Sequence, residues 1–274
     1  MSVKKEESGR RSVQVEVEVP GTPEQVWQAI ASGPGISAWF VPTQLDGKVG
    51  GKLACDFGGG MVSSAKITDW QPPHRFVATD ETWLQGGPPV ATEWTVEARK
   101  GGTCVVRVVH SLFASTDDWD GQIEGTEHGW PSYFRVLKHY LAHHAGEPSA
   151  SFVGMAPSPQ PAAATWRTMV QAFASGEPRM GERLRIEAPG VAALGGTVTA
   201  VDHVPQGTSV MVHVDQPVPG ILLASAMDCG AMHMATLQGF FYGARAEAAA
   251  ADQEGWKQWL TGLFPPATAA PQGD

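Results

Sequence analysis

His110 is the titratable residue whose position most suggests chemistry. In the segment TCVVRVVHSLF the charged Arg107 is expected to face water. Because side chains alternate along a strand, the inward face then holds Cys104, Val106, Val108, His110 and Leu112. An inward imidazole can act as a general acid or base, or as a hydrogen-bond partner for a ligand. The sequence places no acid beside it, so we favour the alternative, a core histidine satisfied by a carbonyl or a tyrosine.

A second histidine group lies near the end of a predicted helix. His139 and His143 are four residues apart, the spacing of two metal ligands on one helix face, and His144 follows. The sequence offers neither a glutamate after the first histidine nor a third ligand. Cationic side chains are also favoured at a helix C-terminus by the helix dipole. We therefore predict no metal site and no cofactor.

Other motifs that resemble catalytic signatures have simpler explanations. DFGGGM, at 56 to 61, lacks the Lys-Ser/Thr pair of a phosphate-binding loop and is predicted to be a hairpin turn. Ser111 and Ser225 lie in no nucleophile-elbow context, so no hydrolase is indicated. The three cysteines, Cys55, Cys104 and Cys229, are widely separated among apolar residues and are predicted to be reduced core thiols. No catalytic residue is assigned.

Aromatic residues are the better candidates for a function. Trp94 is predicted to share an inward face with Thr92 and Val96, and Phe57 to share one with Leu53 and Cys55. The predicted lining of a ligand cavity is Trp39, Phe57, Trp94, His110, Trp130 and Phe134. Ordinary core packing is the alternative for all six. Trp119, in the polar segment STDDWDGQ, is either a protein-binding residue or a cap over the end of the sheet.

Composition excludes several classes of function. The 274 residues carry a formal net charge of -9, and Lys and Arg never run beyond a pair. Nucleic acid binding is therefore not expected, because it needs a basic patch. The charged N-terminus lacks the apolar segment of a signal peptide, and no apolar run reaches spanning length. We expect a cytoplasmic protein without a membrane span.

The elements that position these residues can be read from their periodicity. RSVQVEVEV alternates strictly and predicts a strand, and PGTPEQVWQAIASGPG predicts a short helix with Thr22 as its N-cap. A helical turn, GISAWF, follows. The next strand candidates are KLACDF, SSAKITDW, HRFVATDETW, VATEWTVEA and TCVVRVVHSLF, separated by Gly- and Pro-rich turns. Apolar residues at steps of three and four then predict a helix over residues 129–144.

An internal repeat suggests two domains. WQAIASG at 27–33 shares five of seven residues with VQAFASG at 170–176, and GWPSYFRVL returns as GWKQWLTGL after 126 positions. The copy lacks about 12 residues after its first helix and has no evident counterpart of the first strand. The predicted organisation is a disordered N-terminus at 1–10, a domain at 11–148, an Ala/Ser/Pro linker at 149–164, a degenerate copy at 165–264 and a disordered tail at 265–274.

These elements predict an α+β fold in which a curved antiparallel sheet is closed by a long C-terminal helix. The segments VEVPGTPEQVWQAIA, GGKLACDF, KITDWQPPHRF and HSLFASTDDWDGQIEGTEHGWPSYFRVLKHYL resemble the activator of heat-shock-protein-90 ATPase homologue family. This family belongs to the START-like SRPBCC superfamily, and the resemblance covers residues 11–145. It implies a helix-grip fold with a hydrophobic cavity between sheet and helix, in tandem here with a shorter, degenerate copy. It carries over no catalytic residues.

The expected function is non-catalytic binding of a small hydrophobic ligand by the first domain, with the second domain structural. Two alternatives remain. A polyketide cyclase or dehydratase requires His110 to meet an acid or a tyrosine in the cavity. A co-chaperone that regulates a chaperone ATPase requires an exposed aromatic or acidic patch outside it.

Overall fold

The computed structural model describes residues 3–84, 86–174, 176–230 and 232–265, without the side chains of 122 and 124–128. The chain divides into two compact units, Met1–Glu147 and Pro148–Asp274. The tail predicted to be disordered lies outside the described residues from 266 onwards. The prediction of disorder for residues 1–10 is wrong for Lys4–Lys5, which form a short strand paired with Ser12 and Arg11.

In the described part of the first unit, the chain forms an eight-stranded antiparallel sheet and three helices. Its strands are β1 Lys4–Lys5, β2 Arg10–Pro20, β3 Thr43–Leu45, β4 Lys52–Asp56, β5 Val62–Gln71, β6 Arg75–Asp80, β7 Val90–Arg99 and β8 Thr103–Phe113. Its helices are α1 Pro23–Ile30, α2 Gly33–Ser37 and α3 Asp120–His143. The strand order is β1-β2-β8-β7-β6-β5-β4-β3. The predicted helix-grip fold is thereby confirmed.

Strands β2, β7 and β8 follow the predicted alternation. His110 on β8 lies opposite Val13 on β2 and opposite Thr92 on β7, so these three side chains share one face. Cys104, Val106, Val108, His110 and Leu112 are all buried, as predicted. Arg107 lies on the opposite face and bonds Glu16 and Glu97. We call the face that carries His110 the concave face.

Helix α1 begins where the sequence predicts. The Thr22 hydroxyl accepts from the Gln25 backbone N–H at 3.4 Å, and the Gln25 side chain accepts from the Thr22 N–H at 2.9 Å. This reciprocal capping box satisfies two N–H groups that the helix leaves without partners.

Helix α3 covers the concave face and begins nine residues before the predicted start at 129. Its first turns carry polar residues and glycines, with Ile123 as the main apolar anchor, so no apolar period marks them. Arg11 fixes this end, because its guanidinium contacts Asp120 at 2.6 Å and Asp117 at 2.7 Å. Trp130, Phe134 and Leu137 are buried, as predicted.

The described residues of the second unit form a six-stranded antiparallel sheet and three helices. Its strands are β9 Ser149–Ser158, β10 Arg183–Ile186, β11 Leu194–Val204, β12 Gly207–Gln216, β13 Gly220–Cys229 and β14 Met232–Tyr242. Its helices are α4 Ala162–Phe173, α5 Ala246–Ala250 and α6 Gln253–Gly262. The order β10-β11-β12-β13-β14-β9 corresponds to β4-β5-β6-β7-β8-β2 of the first unit.

The Ala/Ser/Pro linker predicted at 149–164 is wrong. Residues Ser149–Ser158 form β9, which pairs along its whole length with β14, and helix α4 begins at Ala162. Serine, alanine and glycine are weak strand formers, so pairing with the neighbouring strand decides the conformation here. Pro157 is tolerated because β9 lies at the edge of the sheet. β9 is the counterpart of β2 that the repeat lacked in the sequence.

The second unit is shorter than the first in the segment after its first helix, as the internal sequence repeat indicated. In the first unit α2 and β3 follow α1, whereas in the second unit none of residues 174 and 176–182 lies in a helix or a strand. Helix α4 has 12 residues against the eight of α1. Its buried side chains pack with the inner residues of the sheet in one core: Thr165, Trp166, Met169, Val170 and Phe173.

Candidate functional site

Aromatic rings form a continuous cluster between the concave face and α3. Trp94 on β7 meets Trp130 on α3 edge to face, with ring centroids 5.3 Å apart, and Trp39 lies 6.0 Å from Trp94. Trp130 also stacks on Phe134 at 5.4 Å. Such offset and edge-to-face arrangements are the favourable ones for aromatic pairs.

The remaining predicted lining residues join the same cluster. His110 stacks on Trp130 at 5.7 Å. Phe57 is connected through Phe40, which lies 5.7 Å from Phe57 and 5.3 Å from Trp130. The structure therefore brings together all six residues that the sequence proposed as a lining.

These rings differ in how they are covered. Trp39 is fully buried and donates its indole N–H to the Ala29 carbonyl at 2.9 Å, which makes it a core residue. Phe134 is likewise buried. Phe57, Phe40 and Tyr133 are only half-buried. The open side of the cluster is thus formed by Phe57 together with two residues that the sequence analysis missed.

Both missed residues had a signal in the sequence. Phe40 follows Trp39 directly in the AWF segment. Tyr133 precedes Phe134 and lies three residues after Trp130, so it stays near the same helix face. The structure places their rings 4.6 Å apart, edge to face.

The concave face is also incompletely covered at its β4–β5 end. Cys55 lies opposite Thr43 and Ser63, and the Ser63 hydroxyl donates to Asp80 at 2.8 Å. Cys55, Thr43, Ser63 and Leu53 are half-buried, whereas Val106, Val108 and Leu112 on β8 are buried. An apolar and aromatic wall with a few polar groups is the usual composition of a small-molecule site.

His110 is a neutral, fully bonded imidazole. It is 3% exposed, and burial lowers its pKa to about 4. Its Nε2 accepts from the Trp130 indole N–H at 2.9 Å, and its Nδ1 lies 3.0 Å from the Thr92 hydroxyl. An indole N–H only donates, so Nε2 carries the lone pair and Nδ1 carries the proton. Neither nitrogen is left to exchange a proton with a ligand.

Asp80 is a buried carboxylate beside this site. Burial alone would raise its pKa, but hydrogen bonds from Thr82, Ser63 and the Trp83 backbone outweigh burial and lower the pKa. Oδ1 accepts from the Thr82 N–H at 2.8 Å and from its hydroxyl at 2.9 Å. Asp80 therefore anchors the loop after β6, and its carboxylate accepts from Ser63 and Thr82, whereas His110 bonds Trp130 and Thr92.

That loop places Trp83 against His110. The two ring centroids are 5.1 Å apart, edge to face, and Trp83 is 41% exposed. Trp119 is half-buried and packs on the small cluster that contains Leu84 and Ile123. Of its two proposed roles, the packing fits the cap over the end of the sheet.

The other candidate motifs do not form a site. The centroids of His139 and His143 are 4.9 Å apart, yet the described residues contain no group of three or more side chains arranged to hold a metal ion. DFGGGM is the predicted hairpin turn between β4 and β5, with positive φ at Gly58, Gly59 and Gly60. Among the described residues, no helix is long and apolar enough to cross a membrane.

The fold and the aromatic cluster under the closing helix define the first unit as a helix-grip domain. Residues 20–142 match the family described as "Activator of Hsp90 ATPase homolog 1-like protein". The match spans most of the first unit, and the matched family is the one that the sequence resembles.

Three solved structures illustrate the similarity. Protein MLL2253 from Mesorhizobium loti is 23% identical, over 48% of this chain and 97% of that chain, with a TM-score of 0.44. The di-domain ARO/CYC BexL from the BE-7585A biosynthetic pathway is 15% identical, over 95% and 100%, with a TM-score of 0.45. The Aha1 dimer from Colwellia psychrerythraea is 19% identical, over 47% and 95%, with a TM-score of 0.39. A search of curated proteins found no match.

Proposed function

We propose that the first unit binds a small hydrophobic molecule between its concave face and α3, without carrying out a reaction on it. The observation that carries this proposal is the uneven burial of the side chains between the concave face and α3. The rings at the centre of the cluster are buried, whereas Phe40, Phe57 and Tyr133 and the inner side of β4 are only half-buried. Ligand binding would remove this apolar surface from water.

Binding without chemistry is favoured by the state of His110. A general acid or base must have a titrating nitrogen within reach of the substrate, at a pKa near the working pH. His110 has both nitrogens committed to Trp130 and Thr92, and its pKa is lowered to about 4. The cyclase alternative needs an acid or a tyrosine bonded to His110, whereas the side chains that bond His110 are Thr92 and Trp130.

The second unit supports the proposal by contrast. The residues on the inner side of its sheet, among them Leu184, Val198, Val212 and Leu237, are buried together with α4 and α6 in one core. We therefore assign ligand binding to the first unit and a structural role to the second.

The test begins with the full-length protein purified without denaturing steps. Native mass spectrometry is expected to show a bound small molecule, and a thermal-shift screen of lipids and aromatic compounds is expected to show stabilisation. A chain that carries no extra mass and that no compound in the screen stabilises would contradict the proposal.

A matched pair of variants locates the site. Phe57→Ala is expected to weaken binding of any stabilising compound by about 3- to 10-fold, because it removes part of the apolar wall. Phe113→Ala is the control, since Phe113 is 64% exposed and follows the inward Leu112 on β8, so that it points away from the concave face. Equal effects of the two substitutions would place the site elsewhere.

A further inference from the structure

The hydrogen bonds around His110 have a fixed direction. The Trp130 indole N–H donates to His110 Nε2 at 2.9 Å. Since the imidazole is neutral and Nε2 accepts, Nδ1 carries the proton and donates to the Thr92 hydroxyl oxygen, 3.0 Å away. Trp130 therefore donates to His110, and His110 in turn donates to Thr92.

This direction determines what Thr92 can offer. Its oxygen accepts from His110, so its own hydroxyl proton is left to donate. In the part of the chain that the structure describes, the His110 Nδ1 is the hydrogen-bond partner of this hydroxyl, and its proton meets no second acceptor. Thr92 lies opposite His110 and Ala78 and so belongs to the concave face, and it is half-buried. Here the wall presents an oriented hydroxyl donor among aromatic rings.

We propose that Thr92 donates a hydrogen bond to the ligand, and that the ligand is an apolar molecule carrying an uncharged oxygen acceptor such as a ketone or ester carbonyl. This inference rests on the proposed function and names the chemical class of the ligand. Once a ligand covers the Thr92 hydroxyl, this donor gains from meeting an acceptor, whereas an all-hydrocarbon ligand would leave it without one.

A charged acceptor fits the same position less well. Burying a carboxylate costs far more than one hydroxyl can offset. Arg11 also points to the concave face, but its guanidinium is committed to Asp117 and Asp120 near the start of α3. The surroundings of Thr92 therefore select a neutral carbonyl over a carboxylate.

The experiment uses two probes of nearly the same shape, 2-acetylnaphthalene and 2-isopropenylnaphthalene, which differ in having C=O or C=CH2. Binding to the full-length protein is measured by calorimetry. The ketone is expected to bind about 2- to 10-fold more tightly than the alkene, the range of one net hydrogen bond. This comparison in the wild-type protein needs no variant to fold.

Two variants assign the preference to Thr92. Thr92→Ser keeps the hydroxyl and is expected to keep the preference for the ketone. Thr92→Val keeps the shape and is expected to bind both probes equally. The infrared carbonyl stretch of the bound ketone should lie at lower wavenumber in the wild type and Thr92→Ser than in Thr92→Val. A residue that only orients His110 would not change this stretch.

The possible results separate the two proposals. Equal binding of the probes to the wild type, or a ketone preference that survives in Thr92→Val, overturns the role of Thr92 and leaves ligand binding intact. Binding of neither probe counts against both the proposed function and the ligand class.

Discussion

Acidification should destabilise the first unit through His110, because the folded protein holds this imidazole neutral. Its pKa is lowered from 6.5 to about 4 in the folded state by burial. Between these two values the unfolded chain binds a proton that the folded chain does not. Stability therefore falls as the pH is lowered through 6.5 and continues to fall until about pH 4.

The magnitude follows from the two pKa values. Their difference corresponds to roughly 3 kcal/mol once the pH is below both of them. At pH 5 the unfolded histidine is almost fully protonated and the folded one is mostly neutral, so the loss relative to pH 8 is about 2 kcal/mol. His110→Gln has no titrating group and should lack this part of the pH dependence.

The assay must report on the first unit alone. Cys104 is buried on its concave face, whereas Cys55 is half-buried and Cys229 is exposed. In a Cys55→Ser, Cys229→Ser background, labelling of Cys104 along a urea series with a reagent active in acid gives the free energy of unfolding at pH 5 and pH 8. If this background protein and its His110→Gln variant lose the same stability between the two pH values, the reasoning about the buried imidazole is wrong.

Two further substitutions test the packing. Trp130→Ala is expected to lower the free energy of unfolding by about 3–5 kcal/mol, because Trp130 is 7% exposed and contacts four other rings. The loss is measured by urea denaturation. A loss below about 1 kcal/mol would contradict the packing of Trp130 between α3 and the sheet. Phe152→Ala on β9 is expected to cost a similar amount in the second unit, since Phe152 is 1% exposed and stacks on Trp256. If the substitution leaves the melting temperature of the second unit unchanged, a linker would describe Ser149–Ser158 better than a strand.

The sequence predicted those elements whose signals are local. The alternation of β2 and β8 and the Thr22 cap of α1 depend on neighbouring residues, so they can be read from the chain. β9 could not, because Phe152 and its small, polar neighbours become a strand only through pairing with β14. The first turns of α3 were missed for a related reason, since Arg11, more than a hundred residues away, holds Asp120.

The candidate site likewise has features that could be predicted from the sequence and features that could not. The inward faces of β7 and β8 and the apolar face of α3 were enough to predict that Trp94, His110 and Trp130 converge. The state of His110 was not predictable, because it depends on which nitrogen meets the Trp130 indole across the gap between helix and sheet. That single contact determines whether the histidine is a candidate base or a relay that orients Thr92.

The two units differ in the helices that pack on their sheets, which is consistent with the different roles that we propose for them. The final helix of the second unit, α6, has 10 residues against the 24 of α3. Helix α4 is four residues longer than α1, and its Trp166, Met169 and Phe173 join the core of the sheet. Buried side chains of α4 and α6 thus pack on the inner side of the second sheet, in keeping with the structural role that we propose for this unit.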